Sequence, residues 1–139
     1  MTRRYLLDTN IISHMMRETV GVAVRSFAAA TANEPTCAVD TSTVVLCELQ
    51  FGLQRMPNPR LAAALDRILT GVQVHPIDQG VVPHYASLRQ QMEAAGTPLG
   101  PNDTLIAAHA LALGATLVSA DEAFSRVPGL QVENWLKAN

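Results

Sequence analysis

Four carboxylates stand where apolar segments of this chain end or are interrupted: Asp8 after Tyr5, Leu6 and Leu7, Glu48 inside "TVVLCELQFG", Asp103 at the head of "DTLIAAHALALG", and Asp121 directly after "TLVSA". Taken singly, Asp8, Asp103 and Asp121 suit helix caps, each accepting backbone N–H bonds for about 1 kcal/mol. Glu48 is harder to explain that way. On a helix it shares a face with Val44, Val45 and Phe51, so an acid sits on an apolar stripe and needs an arginine such as Arg25 or Arg55, or a cation. Gathered in one place the four would act differently, because two carboxylates about 4 Å apart repel by roughly 4 kcal/mol at an effective dielectric near 20. Several such pairs outweigh the caps and demand protonation or a divalent ion. An all-oxygen donor set selects Mg²⁺ or Mn²⁺, and such an ion lowers the pKa of water, so no histidine base is required.

The elements that must do the gathering read as strands alternating with helices. Tyr5 to Leu7 predicts a strand, Asn10 to Arg17 a helix and "VGVAVRSFAAATAN" a second helix. "CAVDTS" is a strand that turns at Ser42 into the helix "TVVLCELQFGLQRM". Asn58 followed by Pro59 predicts a cap and first turn for "RLAAALDRILTG", closed by Gly71. "VQVHPI" is a third strand, and Asp78 opens a long helix ending at Gly96. After the turn-rich "GTPLGPN", the segment "DTLIAAHALALG" is apolar all round and therefore a buried helix. "ATLVSA" is a fourth strand, Asp121 to Phe124 a short turn or helix and "LQVENW" a terminal strand. This alternation implies βαβ units and a parallel sheet. Right-handed crossovers bring every strand's C-terminal end to one edge, the edge at which open α/β folds hold ligands.

Composition agrees with one such unit. The 139 residues are 48% hydrophobic but only 4% aromatic, so Leu, Val, Ile, Ala and Met must build the core. No repeat, linker or low-complexity tract divides the chain. The formal charge of -2 speaks against nucleic acid, yet nine of the ten basic residues are arginines, and Arg3, Arg4, Arg17, Arg55, Arg60 and Arg126 flank expected loops. Cys37 and Cys47 lack disulfide or zinc spacing and read as reduced core residues. The apolar run after Met1 is too short for a signal peptide and no later one crosses a bilayer, so a cytoplasmic protein is expected. Asp40 reads as structural, and His109, in an apolar helix, as a satisfied core histidine.

The stretches "YLLDTNIIS", "STVVLCELQFG" and "PLGPNDTLIAAHALALGATLVSADEAFSRVPGLQVENW" together resemble a PIN-domain ribonuclease of the VapC type, the toxin half of a type II toxin-antitoxin pair. The resemblance runs in order through almost the whole chain. It implies an α/β, PIN-like three-layer α/β/α sandwich with a central, mainly parallel sheet of four to five strands, formed as a single domain over residues 1–139. It implies an Mg²⁺- or Mn²⁺-dependent endoribonuclease whose catalytic and metal-binding acids are Asp8, Glu48, Asp103 and Asp121, with Asn10 and Ser119 lining the pocket. Ser119 stands where the family more often has Thr, and the adjacent Glu122 competes with Asp121, which is favoured as nearer the strand end. The expected partners are a VapB-like antitoxin, structured RNA such as tRNA, and a second copy in a homodimer. No membrane partner is expected.

Other acid-pocket and nucleotide folds fit less well. A receiver domain needs a lysine at the end of its last strand, and the single lysine, Lys137, lies beyond it. Phosphate-binding loops need glycines after the first strand, and "LLDTN" has none. A catalytically silent PIN-like binding module would have lost its acids, which this chain keeps.

Overall fold

The computed structural model describes residues 2–32 and 36–137. Five strands form one parallel sheet: β1 (Arg3–Leu7), β2 (Cys37–Ser42), β3 (Gln73–His75), β4 (Thr116–Val118) and β5 (Val132–Glu133), in the order β3-β2-β1-β4-β5. They are joined by α1 (Thr9–Arg17), α2 (Val22–Ala32), α3 (Thr43–Arg55), α4 (Pro59–Leu69), α5 (Val82–Ala94) and α6 (Pro101–Leu113). The central strand places Leu6 beside Asp40 of β2 and Leu117 of β4. Leu6 and Leu7 of β1, and Leu117 and Val118 of the adjacent β4, are fully buried, as expected of interior parallel strands.

From β1 the chain winds one way through β2 to β3, then crosses back to add β4 and β5 on the other side. Right-handed crossovers put α1 to α4 on one face and α5 and α6 on the other. The packing of α1 on α2, α3 and α4, and of α5 on α6, follows that division. The sense of winding reverses between β1 and β4. A crevice therefore opens beyond Leu7 and Val118, the two strand ends whose chains depart to different faces.

Local signals explain most boundaries. Asn58 Oδ1 accepts the Leu61 N–H at 3.1 Å with Pro59 in the first turn of α4, and Ser42 Oγ accepts the Val44 N–H at 3.1 Å to start α3. In α6 every residue from Ile106 to Ala110 is buried, and Gly114 ends it with a left-handed φ of 65° that other residues resist. Asp40 is fully buried, held by Arg4 Nη1 at 2.7 Å and His75 Nε2 at 2.8 Å, a structural role as expected.

Four expectations need correction. The long helix from Asp78 is a 3-10 turn (Gln79–Val81), capped by Asp78, followed by α5, because Pro83 has no N–H to carry the helical ladder across that junction. Among the described residues β5 is two residues long rather than six. Cys47 is exposed rather than in the core, while Cys37, at the start of β2, is only partly buried though packed against the core; both are free thiols. His109 is buried, but its Nδ1 has no hydrogen-bond partner among the described residues, and burial lowers its pKa. Asn33, the last residue of the expected second helix, lies outside the described residues.

Candidate active site

Asp8 occupies the crevice between β1 and β4 and is only 4% exposed. Its Oδ1 accepts the Thr9 N–H at 2.7 Å, so it does cap α1. Its Oδ2 accepts from Ser119 Oγ at 2.7 Å and from Asn10 Nδ2 at 3.2 Å. Asn10 also donates to Ser119 Oγ and accepts the Ala120 N–H at 3.0 Å, while the Asp121 N–H reaches Ser119 Oγ at 3.0 Å. The head of α1 and the end of β4 are thereby stitched around one carboxylate. Burial pushes the Asp8 pKa up, the Ser119 and Thr9 bonds pull it back, and the charges of Glu48 and Asp121 raise it again.

Asp103 reaches the same field from the other layer. It is not a cap, because α6 starts two residues before it with Gly100 in the cap position. Burial first, then the charges of Asp8, Asp121 and Glu48, raise its pKa to about 6. Asp121 is exposed and caps the 3-10 turn Glu122–Arg126 by accepting the Ala123 N–H at 2.9 Å. The charges that raise Asp8 and Asp103 include Asp121 and do not include Glu122.

Glu48 departs from the sequence reading. It is half-buried rather than sunk in an apolar stripe: of the residues on its face Val45 is fully buried, but Val44 is only half-buried and Phe51 is 63% exposed. Neither expected arginine pairs with it; Arg55 lies over the Phe51 ring at 5.6 Å. Glu48 Oε1 accepts the Thr9 hydroxyl at 2.7 Å. Thr9 was not among the sequence candidates. The available signal was its place one residue after Asp8, at the junction between the end of β1 and the start of α1.

No three Asp, Glu, His or Cys side chains among the described residues stand close enough to form a closed metal cage. The donor set still fits a hard divalent cation by its chemistry: carboxylates with amide and hydroxyl oxygens beside them, no thiolate or imidazole, and mutual repulsion that already raises two of the acids. Acids spaced in this way suit an ion that keeps several waters, as Mg²⁺ does. From Thr9 and Glu48 a groove of about 480 Å³ runs outward past Met16, Leu49 and Leu53, with Arg17 and Arg55 also on it.

The PIN domain family matches residues 5–130. Ribonuclease VapC2 of Rickettsia felis is 33% identical over 135 residues, 96% of this chain and 98% of that protein. This chain belongs to the PIN-domain family, among the VapC ribonucleases. The tRNA(fMet)-specific endonuclease VapC of Salmonella typhimurium is 28% identical over 134 residues, 95% of this chain and 98% of that protein. The VapC fold is matched in a crystal structure of VapBC2 from Rickettsia felis bound to a DNA fragment from its promoter, with a TM-score of 0.87 and 31% identity over 95% of this chain and 98% of that one. No helix among the described residues of this PIN domain is long and apolar enough to cross a membrane.

Proposed function

We propose that this VapC-family protein is a cytoplasmic Mg²⁺- or Mn²⁺-dependent endoribonuclease, a single PIN domain over residues 1–139 that hydrolyses phosphodiester bonds in structured RNA. The observation that carries the proposal is the gathering of carboxylates from separate elements: Asp8 and Glu48 are both bonded to Thr9, and Asp103, raised to about 6 first by burial, also feels the charges of Asp8, Asp121 and Glu48. Asp8, Glu48, Asp103 and Asp121 are the residues that would hold the ion. When bound, it would supply an acidified water and positive charge for the phosphate oxygens. Asn10 and Ser119 keep Asp8 oriented by bonds of 3.2 and 2.7 Å. Burial of Asp8 limits the number of waters that compete for its oxygens.

The substrate class is tRNA, supported by the tRNA(fMet) specificity for which the Salmonella relative is named. The partner is a VapB-like antitoxin, supported by the VapBC2 complex that shares this fold. Its chain would lie along the groove from Met56 toward Glu48 and place an arginine among the carboxylates, competing with metal through charge-assisted hydrogen bonds. A second copy of the chain would cover the exposed Phe51 side of α3. Sequencing RNA 5′ ends after a short pulse of expression tests this reading. The expected result is new ends within tRNA that vanish when the neighbouring small gene is co-expressed; arrest with no new RNA ends, or toxicity that no neighbouring gene relieves, would contradict it.

A further inference from the structure

Glu48 differs from the other acids in how it is held. Asp8 is buried and fixed by three protein donors, and Asp121 is fixed by the Ala123 N–H. Glu48 has a longer, half-buried side chain that lines an open groove, and it makes no ion pair among the described residues. Among the described residues one side-chain hydrogen bond restrains it, the 2.7 Å contact from Thr9 Oγ1. Thr9 is the first residue of α1 and its own N–H is bonded to Asp8. Asp8, between β1 and α1, and Glu48, on α3, are therefore both tied to one residue, Asp8 to its backbone N–H and Glu48 to its hydroxyl.

We propose that Thr9 is a positioning residue that holds the Glu48 carboxylate beside Asp8, so that the acids meet a divalent cation as a preorganised set. The inference rests on the metal-centre reading above. Without the hydroxyl, Glu48 is free to rotate into the groove, away from the like charge of Asp8. The general cost of removing a hydrogen bond that orients a metal ligand is 10- to 100-fold in affinity or activity, and Thr9, which supports one ligand of four, belongs at the lower end, roughly tenfold.

The test is Mn²⁺ binding to the full-length protein, followed by the electron paramagnetic resonance signal of free Mn²⁺, for wild type, Thr9→Val and Thr9→Ser, each checked for an intact melting transition. Thr9→Val keeps the shape of the side chain and removes the donor; Thr9→Ser keeps the donor. The expected result is about tenfold weaker Mn²⁺ binding in Thr9→Val, near wild-type binding in Thr9→Ser, and no further loss when Thr9→Val is added to Glu48→Gln. Cleavage by Thr9→Val should recover as Mn²⁺ is raised. Equal binding by wild type and Thr9→Val overturns the role of Thr9 alone, as does a loss in Thr9→Ser as large as in Thr9→Val. A wild-type protein that takes up no Mn²⁺ overturns the metal reading and this inference with it. If valine disturbs the first turn of α1, Thr9→Ala makes the same comparison.

Discussion

Replacing Asp103 by Asn should stabilise the metal-free protein while removing its activity. The Asp103 carboxyl is raised from 3.8 to about 6 by burial and by the charges of Asp8, Asp121 and Glu48. At about 1.4 kcal/mol per pH unit, keeping it ionised at neutral pH costs about 3 kcal/mol before screening, and its partial contact with water reduces this to about 1.5 kcal/mol. The N-terminal end of α6 returns about 0.5 kcal/mol to the charged form, leaving roughly 1 kcal/mol for asparagine to recover, or about 3 °C in melting temperature for a chain of this size. The sign follows from linkage: a raised pKa means the folded state holds the proton more tightly, so its contribution is complete below about pH 4 and lost as pH rises through about 6. Thermal melts in EDTA should therefore show wild type and Asp103→Asn together at pH 4 and the variant higher by about 3 °C at pH 7.5. No gain at pH 7.5, or the same gain at pH 4, would refute the argument that the cost of keeping Asp103 ionised, from burial and from its acidic neighbours, is the cause.

Asp40→Ala should destabilise the fold by about 2–4 kcal/mol in urea unfolding, because it leaves Arg4 and His75 without their shared buried acceptor, while the folded fraction keeps cleaving RNA. His109→Leu should add about 1 kcal/mol by removing an unpartnered buried nitrogen. Its folded pKa is lowered by burial, so wild type should also lose stability as pH falls below about 6.5 and the leucine variant should lose less, measured by melts from pH 7.5 to 5. Light scattering at micromolar concentration should give a dimer mass for wild type and a lower mass for Phe51→Asp, which puts a charge on the exposed side of α3.

The order of elements could be read because their signals are local: apolar runs for the strands, and Asn58 with Pro59, Ser42 and Gly114 as boundaries. Asp8 shows why one residue could not settle its own role. It caps α1 and also lies in the crevice, and only the strand order makes those the same place. Glu48 was found by its residue type on an apolar face, but how much of that face the rest of the fold covers is a tertiary matter, which periodicity does not encode. The Thr9–Glu48 bond depends on how α1 packs on α3, and so has no signature within either segment. The orphaned Nδ1 of His109 is of the same kind: the apolar helix foretold its burial, not the absence of an acceptor facing it.

The central claim, that these acids serve metal-dependent hydrolysis of RNA, is tested most directly by analysing the ends of tRNA cleaved by purified protein, with EDTA, with added Mg²⁺ or Mn²⁺, and with a folded Asp8→Asn variant. Hydrolysis by water leaves a 5′-phosphate and a 3′-hydroxyl, whereas attack by the RNA's own 2′-hydroxyl leaves a cyclic phosphate. The account predicts 5′-phosphate products that appear only with the divalent ion and only with Asp8 intact. Cyclic phosphate ends, undiminished cleavage in EDTA, or cleavage by Asp8→Asn at the wild-type rate would contradict it.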